Sequence, residues 1–65
     1  MRILVNGEAV ELAAGRLDAA LDELGHDAVA VATAVNGSFV PVARRAATAL
    51  APGDRVEVVS PRQGG

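Results

Sequence analysis

Apolar residues fall into short runs along the chain, and two Asn-Gly dipeptides separate these runs. Asn6-Gly7 and Asn36-Gly37 each have an apolar-rich run on both sides, at residues 2–5, 8–12, 29–35 and 38–40. Both central residues of a type I′ turn need positive φ, which Asn and Gly adopt at low cost, so Asn-Gly between apolar runs is the strongest short hairpin signal. The pattern predicts two β-hairpins.

Between the hairpins, the spacing of apolar residues changes to that of a helix. Leu17, Leu21 and Leu24 stand at i, i+4 and i+7 and form one apolar stripe. Gly25 is suited to a left-handed cap at the C-terminal end. Gly15 is the candidate N-cap, because no Ser or Thr stands there. We expect one helix through the three leucines, with a first residue that the pattern does not fix.

The last third of the chain predicts a turn, a strand and a tail. Residues 44–47 fit a short helical turn, and Pro52-Gly53-Asp54 is a turn signal. Residues 55–58 alternate charged and apolar side chains, as a half-buried strand does. Residues 60–65 carry no apolar side chain that would anchor them. We therefore expect a folded domain at residues 1–59 and a flexible tail at residues 60–65.

The predicted order of elements is strand, strand, helix, strand, strand, turn, strand. This order fits an α+β domain with a mixed sheet of about five strands. The first and last strands lie side by side in such a sheet, and the main helix packs across one face. It is the arrangement of the β-grasp, or ubiquitin-like, fold.

Composition excludes several classes of protein. The chain has 65 residues, no Cys and a formal net charge of −2. Without Cys, a disulfide framework, a thiolate zinc site and a cysteine nucleophile are excluded. The mildly acidic balance argues against nucleic acid as the main partner, and no apolar run approaches the roughly 20 residues of a membrane span. No secretory signal is recognisable, so we expect a cytoplasmic protein with no nucleic-acid or membrane partner.

The residues typical of catalytic and metal sites form no recognisable group in the sequence. Asp22, Glu23 and Asp27 are carboxylates near one helix end, and no nucleophile or base accompanies them. His26 is the single histidine, whereas a metal site needs three or four ligands. The sequence predicts no metal site and no catalytic residue of its own.

The most informative chemistry is at the end of the sequence, Gly64-Gly65. Glycine has no Cβ, so two of them make a thin, pliable strand that can enter a narrow enzyme pocket. The α-carboxylate of Gly65 can then attack the α-phosphate of ATP and give an acyl adenylate, which is open to a sulfur or nitrogen nucleophile. The chain would then be a protein cosubstrate rather than an enzyme. The alternative interpretation is an inert tail.

The pattern also assigns four further residues to the surface or the core: Val59, Phe39, Arg44 and Arg45. If Val56 and Val58 face the core, alternation directs Val59 outward, close to the tail. Val59 is then a candidate residue for docking a partner, although a single exposed Val is common. Phe39 is expected in the core or in hairpin packing, and Arg44-Arg45 in a solvated turn.

Several segments, in their order along a chain of this length, resemble one family. They are residues 1–7, 17–24, 34–37 with 40–41, 52–56, and the final Gly64-Gly65. Together they are similar to the ThiS family of small sulfur carriers in thiamine biosynthesis. The resemblance covers essentially the whole chain. The small subunits of molybdopterin synthase share the tail but are usually longer and often have aromatic residues before it, whereas Phe39 is the single aromatic residue here.

This resemblance implies a cycle centred on Gly65. An adenylyltransferase related to ubiquitin-activating enzymes would adenylate its carboxylate with ATP and Mg²⁺, and the chain itself would bind no cofactor. A sulfur donor system would convert the adenylate to a thiocarboxylate (1-thioglycine), which delivers sulfur to thiazole synthase. Gly64, Gln63 and Arg62 would thread into the partner. Sulfur carriage for molybdopterin, cysteine or tRNA thiolation, conjugation to target amines, and a ubiquitin-like interaction module with an inert tail remain alternatives.

Overall fold

The computed structural model describes residues 1–60. Its strands are β1 (Arg2–Val5), β2 (Glu8–Glu11), β3 (Ala32–Val35), β4 (Ser38–Val40) and β5 (Arg55–Val59). Within the described residues, one α-helix, α1, covers Leu17–Glu23, and two 3₁₀ helices cover Ala28–Ala30 and Val42–Ala47. The predicted short helical turn at residues 44–47 is therefore part of the second 3₁₀ helix.

Both Asn-Gly dipeptides form the predicted hairpin turns. Asn6 and Asn36 each have φ of 51°, and the glycines that follow, Gly7 and Gly37, each have φ of 86°. The first turn connects β1 antiparallel to β2, and the second connects β3 antiparallel to β4. The two hairpins predicted from the dipeptides are confirmed.

The described strands form one mixed sheet in the order β2-β1-β5-β3-β4. The last strand in the sequence, β5, lies in the middle. It is parallel to β1 and antiparallel to β3. This sheet with one main helix is the β-grasp arrangement, so the predicted fold class is confirmed.

The helix and one face of the sheet enclose the core. Leu17 and Leu21 of the predicted apolar stripe are buried, and Leu24 packs against the core at its edge. Val56 and Val58 are buried on β5, as its alternation predicted. The complete set of buried apolar residues in the described chain is Ile3, Leu12, Leu17, Ala20, Leu21, Val40, Leu50, Val56 and Val58.

The helix begins one residue later than a Gly15 cap requires. Its N-cap is Arg16, which has extended backbone angles and no capping side-chain hydrogen bond. The reason is that residues 15 and 16 pair with another segment: the carbonyl of Gly15 accepts the Leu50 N–H, and Arg16 forms a bridge with Ala49. Gly25 has φ of +82°, as expected for a left-handed residue after the helix. No helix formed by residues 1–60 has the length and apolar character needed to cross a bilayer.

The apolar run at residues 29–35 becomes a strand only from Ala32. Its first part belongs to the 3₁₀ helix Ala28–Ala30, whose N-cap is Asp27. The Asp27 carboxylate accepts the Val29 N–H at 3.3 Å. The run is therefore divided between two elements, because a capping carboxylate at its start favours a turn over an extended strand.

The two adjacent arginines in the second 3₁₀ helix have different surroundings. Arg44 is exposed, whereas Arg45 is only 3% exposed. The Arg45 guanidinium donates to Oγ1 of Thr33 at 3.2 Å and to the carbonyl oxygens of Ala28 and Val31, both at 2.7 Å. The predicted solvated turn is correct for Arg44 and wrong for Arg45, because three oxygen acceptors replace the water that a buried guanidinium loses.

Candidate functional site

The candidate site lies on the open face of the sheet, where β5 leads toward the tail. Arg55, Glu57 and Val59 are exposed on this strand, and the valines between them are buried. Val59 is 58% exposed. The predicted outward orientation of Val59 is confirmed, and its role in docking stays a prediction.

The end of β5 is held on both of its sides, by a strand on one side and by a side chain on the other. On one side, Val59 pairs with Ala32 of β3. On the other side, the Asn6 side chain lies just beyond the end of β1 and bonds both polar groups of the Val58 backbone. Its Nδ2 donates to the Val58 carbonyl at 3.0 Å, and its Oδ1 accepts the Val58 N–H at 2.9 Å. The Asn6 amide thus replaces the strand that β1 no longer provides at this position.

Asn36, in the other hairpin, contacts the opposite end of β5. Its Oδ1 accepts the Arg55 N–H at 2.9 Å, and its Nδ2 donates to the Asp54 carboxylate at 3.1 Å. Hydrogen bonds from the Ala51 N–H and from Asn36 hold the pKa of Asp54 below its ordinary value. Each turn asparagine therefore has two roles. It adopts the positive φ of its turn, and its side chain holds β5 in place.

Replacement of Asn6 by Gly is expected to destabilise the domain more than the matched replacement Asn36→Gly. Gly keeps the turn conformation in both variants, so each variant removes mainly the amide hydrogen bonds. The Asn6 bonds are partly buried and the Asn36 bonds are exposed. We expect a loss of about 2 kcal/mol for Asn6→Gly and about 1 kcal/mol for Asn36→Gly in urea unfolding. Equal losses would contradict the stronger anchoring by Asn6.

Phe39 lies on the same open face, contrary to the prediction that it belongs to the core or hairpin packing. It is 69% exposed. In β4 the core position is taken by Val40, which is buried. Successive strand residues point to opposite faces, so Phe39 must face outward. The prediction was wrong because a preference for burying aromatic residues was given more weight than the alternation of a three-residue strand.

Six residues of β3, β4 and β5 line a shallow depression that we call the tail-side trough: Ala32, Thr33, Ala34, Phe39, Glu57 and Val59. Ala34 pairs with Phe39 on one side and with Glu57 on the other, and Ala32 pairs with Val59. The two small alanines form the floor. Phe39 forms one wall, and Glu57 with Val59 forms the other. The trough adjoins the end of β5, from which the chain continues to the tail.

The four tail positions predicted as functional are Arg62, Gln63, Gly64 and Gly65. All four lie outside the described residues, so their roles remain predictions. Ser60, the first residue of the predicted tail, follows β5 directly and is half-buried. The described chain thus ends beside the trough.

Two of the acidic residues near the helix end have structural partners. The Glu23 carboxylate accepts the N–H groups of Ala13 and Ala14 at 2.9–3.1 Å. These bonds hold the pKa of Glu23 below its ordinary value, and the bond from Ala13 has the larger effect. Asp27 caps a 3₁₀ helix, as described above. Within residues 1–60, no three side chains of the types His, Cys, Asp or Glu are grouped so that they could hold a metal ion.

The sequence matches a family model over residues 3–65, and that model describes the ThiS family. The chain belongs to the ThiS family. The crystal structure of a thiamine biosynthesis protein (ThiS) from Geobacter metallireducens has the same fold, with a TM-score of 0.84 and 26% sequence identity over 100% of both chains. No curated protein matches the sequence. The resemblance drawn from the sequence segments is confirmed at the level of the family.

Among the trough residues, the sequence pattern identified only Val59 as a candidate site residue, and it did not identify Phe39 or Glu57. The signal for Glu57 was present, since the alternation that exposes Val59 also exposes the residue two positions earlier. The signal for Phe39 was the next residue, Val40, because placing Val40 in the core turns Phe39 outward. The pairing of β3 with both β4 and β5 brings these residues together.

Proposed function

We propose that this protein is a sulfur carrier of thiamine biosynthesis, and that its sulfur is carried on the carboxyl group of Gly65. The observation that carries the proposal is the match to the ThiS family, because the match extends to the final Gly64-Gly65. The similar structure from Geobacter metallireducens, which is named as a thiamine biosynthesis protein, supports the same assignment. The protein acts as a cosubstrate of partner enzymes rather than as a catalyst.

The proposed chemistry has two steps at the Gly65 carboxyl group. First, a carboxylate oxygen attacks the α-phosphorus of ATP, pyrophosphate leaves, and an acyl adenylate forms. Second, a nucleophile at the oxidation level of hydrosulfide attacks the acyl carbon and expels AMP, which leaves a thiocarboxylate. The mixed anhydride provides the driving force, because AMP is a far better leaving group than oxide. ATP and Mg²⁺ are bound by the partner adenylyltransferase.

The proposed partners are an adenylyltransferase related to ubiquitin-activating enzymes, a sulfur donor system and thiazole synthase. Gly64, Gln63 and Arg62 thread into the partner, since two glycines pass a channel that side chains would block. The tail-side trough, with Val59 nearest to the tail, is the proposed docking surface. Exposed apolar side chains that lie together on one face of a protein often mark such a surface.

Formation of a thiocarboxylate on wild-type protein tests the proposal directly. The protein is incubated with the adenylyltransferase, ATP, Mg²⁺ and the sulfur donor, and is then cleaved after Glu57 by an endoproteinase specific for glutamate. We expect the fragment of residues 58–65 to gain mass by replacement of one oxygen with sulfur, and to react with an alkylating reagent. Oxidation of Met1 adds nearly the same mass, but Met1 lies in another fragment.

Omission of ATP is the control, and it should leave the fragment unchanged. A fragment that acquires neither sulfur nor adenylate in the complete mixture would contradict the proposal. Conjugates of high mass, joined through Gly65 to amines of other proteins, would identify the chain as a protein modifier. An unmodified chain that still binds its partner would identify an interaction module.

A further inference from the structure

We propose that the tail-side trough binds an arginine side chain of the protein that activates the tail, with Glu57 as the residue that selects it. The inference deepens the proposed function, on which its enzymatic test rests. It adds the chemistry of the partner residue and names the position of the carrier that recognises it.

The charge of the trough is the first observation. Among residues 1–60, the Glu57 carboxylate forms no ion pair. On the same face of the sheet, Arg2 and Glu11 do form an ion pair, with 3.8 Å between the Arg2 Nε and the Glu11 Oε1. Glu57 is the single charged member of the trough, whose other lining residues are two alanines, Phe39, Val59 and the buried Thr33. The trough is therefore a mainly apolar surface with one carboxylate, and Arg55, two residues earlier on the exposed face of β5, forms no ion pair with it.

Docking of a partner on the trough has a desolvation cost, and this cost restricts the chemistry of the partner surface. Any protein that docks on the trough removes water from the Glu57 carboxylate. A desolvated carboxylate is strongly unfavourable unless it gains a cation or several hydrogen-bond donors. An entirely apolar partner surface is consequently disfavoured, and a donor supplied by the partner at the position of Glu57 offsets this cost.

The shape of the trough favours arginine over lysine as that donor. The alanine floor between β4 and β5 is about 10 Å wide from strand to strand, given the usual spacing of neighbouring strands. An arginine stem can lie on this apolar floor while its planar guanidinium reaches a wall. Guanidinium groups pair with carboxylates through two parallel bonds and also stack on aromatic rings, which an ammonium does less well. Glu57 and Phe39 provide one group of each kind on opposite sides of Ala34.

A titration followed by NMR tests the trough without any enzyme. The probes are the acetylated amides of arginine and lysine, added to the full chain at equal ionic strength. We expect saturable shifts at the amides of Ala34, Phe39 and Glu57 with the arginine probe and smaller shifts with the lysine probe. The shifts should be lost in Glu57→Gln and kept in Glu8→Gln. Equal response to both probes, or shifts that survive Glu57→Gln, would overturn the proposal.

The second test measures adenylation kinetics of the full chain. We expect Glu57→Gln to raise the KM for the carrier about tenfold with kcat unchanged, as for a lost charge-assisted hydrogen bond. Phe39→Leu should raise it about threefold through loss of the ring. Glu8→Gln is the matched control, because Glu8 is exposed, forms no ion pair among residues 1–60 and loses the same charge. An equal KM for Glu57→Gln and Glu8→Gln would contradict the selection by Glu57.

A candidate for the trough from the chain's own tail is Arg62. If the effect of Glu57→Gln disappears in an Arg62→Gln background, the tail rather than the partner occupies the trough, and the proposal is wrong. If the effect persists there, a partner arginine is supported. Failure of the wild-type chain to be adenylated at all would count against the proposed function, while the probe titration would still decide on the trough.

Discussion

Removal of Gly65 is expected to abolish thiocarboxylate formation while the domain keeps its stability. The shortened chain still ends in a carboxylate, that of Gly64, but this carboxylate lies up to about 3.5 Å short of the position that Gly65 reaches. A displacement of 1 Å at a reacting group can cost about a hundredfold in rate. We therefore expect kcat/KM for adenylation to fall by at least about a hundredfold. Pyrophosphate release provides the measurement.

The matched control for this deletion is Ser60→Ala, which changes a side chain of the predicted tail segment outside the four functional positions and keeps the length. It should retain most of the activity. Urea unfolding of both variants should coincide with that of the wild type, because every core residue of the described chain lies between Ile3 and Val58. Activity of the shortened chain close to that of the wild type would mean that the terminal carboxylate is not the reacting group.

Replacement of Arg45 by Met is expected to have the largest effect on folding. The variant leaves the carbonyl oxygens of Ala28 and Val31 without their donor, and Oγ1 of Thr33 loses a bond as well. We expect the free energy of unfolding to fall by about 3 kcal/mol. A chain of this length has a total stability of roughly 3–10 kcal/mol, so the loss would remove between about a third and all of it.

Arg44→Met and Arg45→Lys are the control variants for this prediction. Arg44 is exposed, and its replacement should change the stability by less than about 0.5 kcal/mol. Lysine at position 45 keeps the charge but cannot present the guanidinium fork to three acceptors, so we expect it to recover only part of the loss. Thermal and urea unfolding measure all three variants. Similar stability of Arg44→Met and Arg45→Met would refute the role of the buried guanidinium.

The parts of the fold that the sequence predicts well are those with a local physical cause. The type I′ turn that Asn-Gly favours requires positive φ at two positions, and both turns of the structure have those angles. The alternation in β5 required Val56 and Val58 on one face and Val59 on the other, and this too is observed. In these cases the residues concerned lie next to each other in the chain, so their own conformational preferences suffice.

The errors on Arg45 and Gly15 concern residues whose position depends on distant segments. Arg44 and Arg45 are the same type of residue. Arg45 is the buried one because residues 28, 31 and 33 provide hydrogen-bond acceptors for its guanidinium. Gly15 could cap a helix, but pairing with Leu50 keeps its backbone outside the helix. The tail-side trough likewise exists only because β3 lies between β4 and β5. Its individual side chains carry no mark in the sequence that would group them.

The central place of β5 also bears on the synthesis of the protein. This strand is the last to be made, and both hairpins pair with it. A chain interrupted before Arg55 consists of two hairpins and a helix that lack the strand between them, and it has neither Glu57 nor Val59 to complete the trough. Pairing of such long sequence separation also forms late in folding. Folding therefore requires that β5 has been made, and a partner that binds the trough engages only chains that already contain this strand.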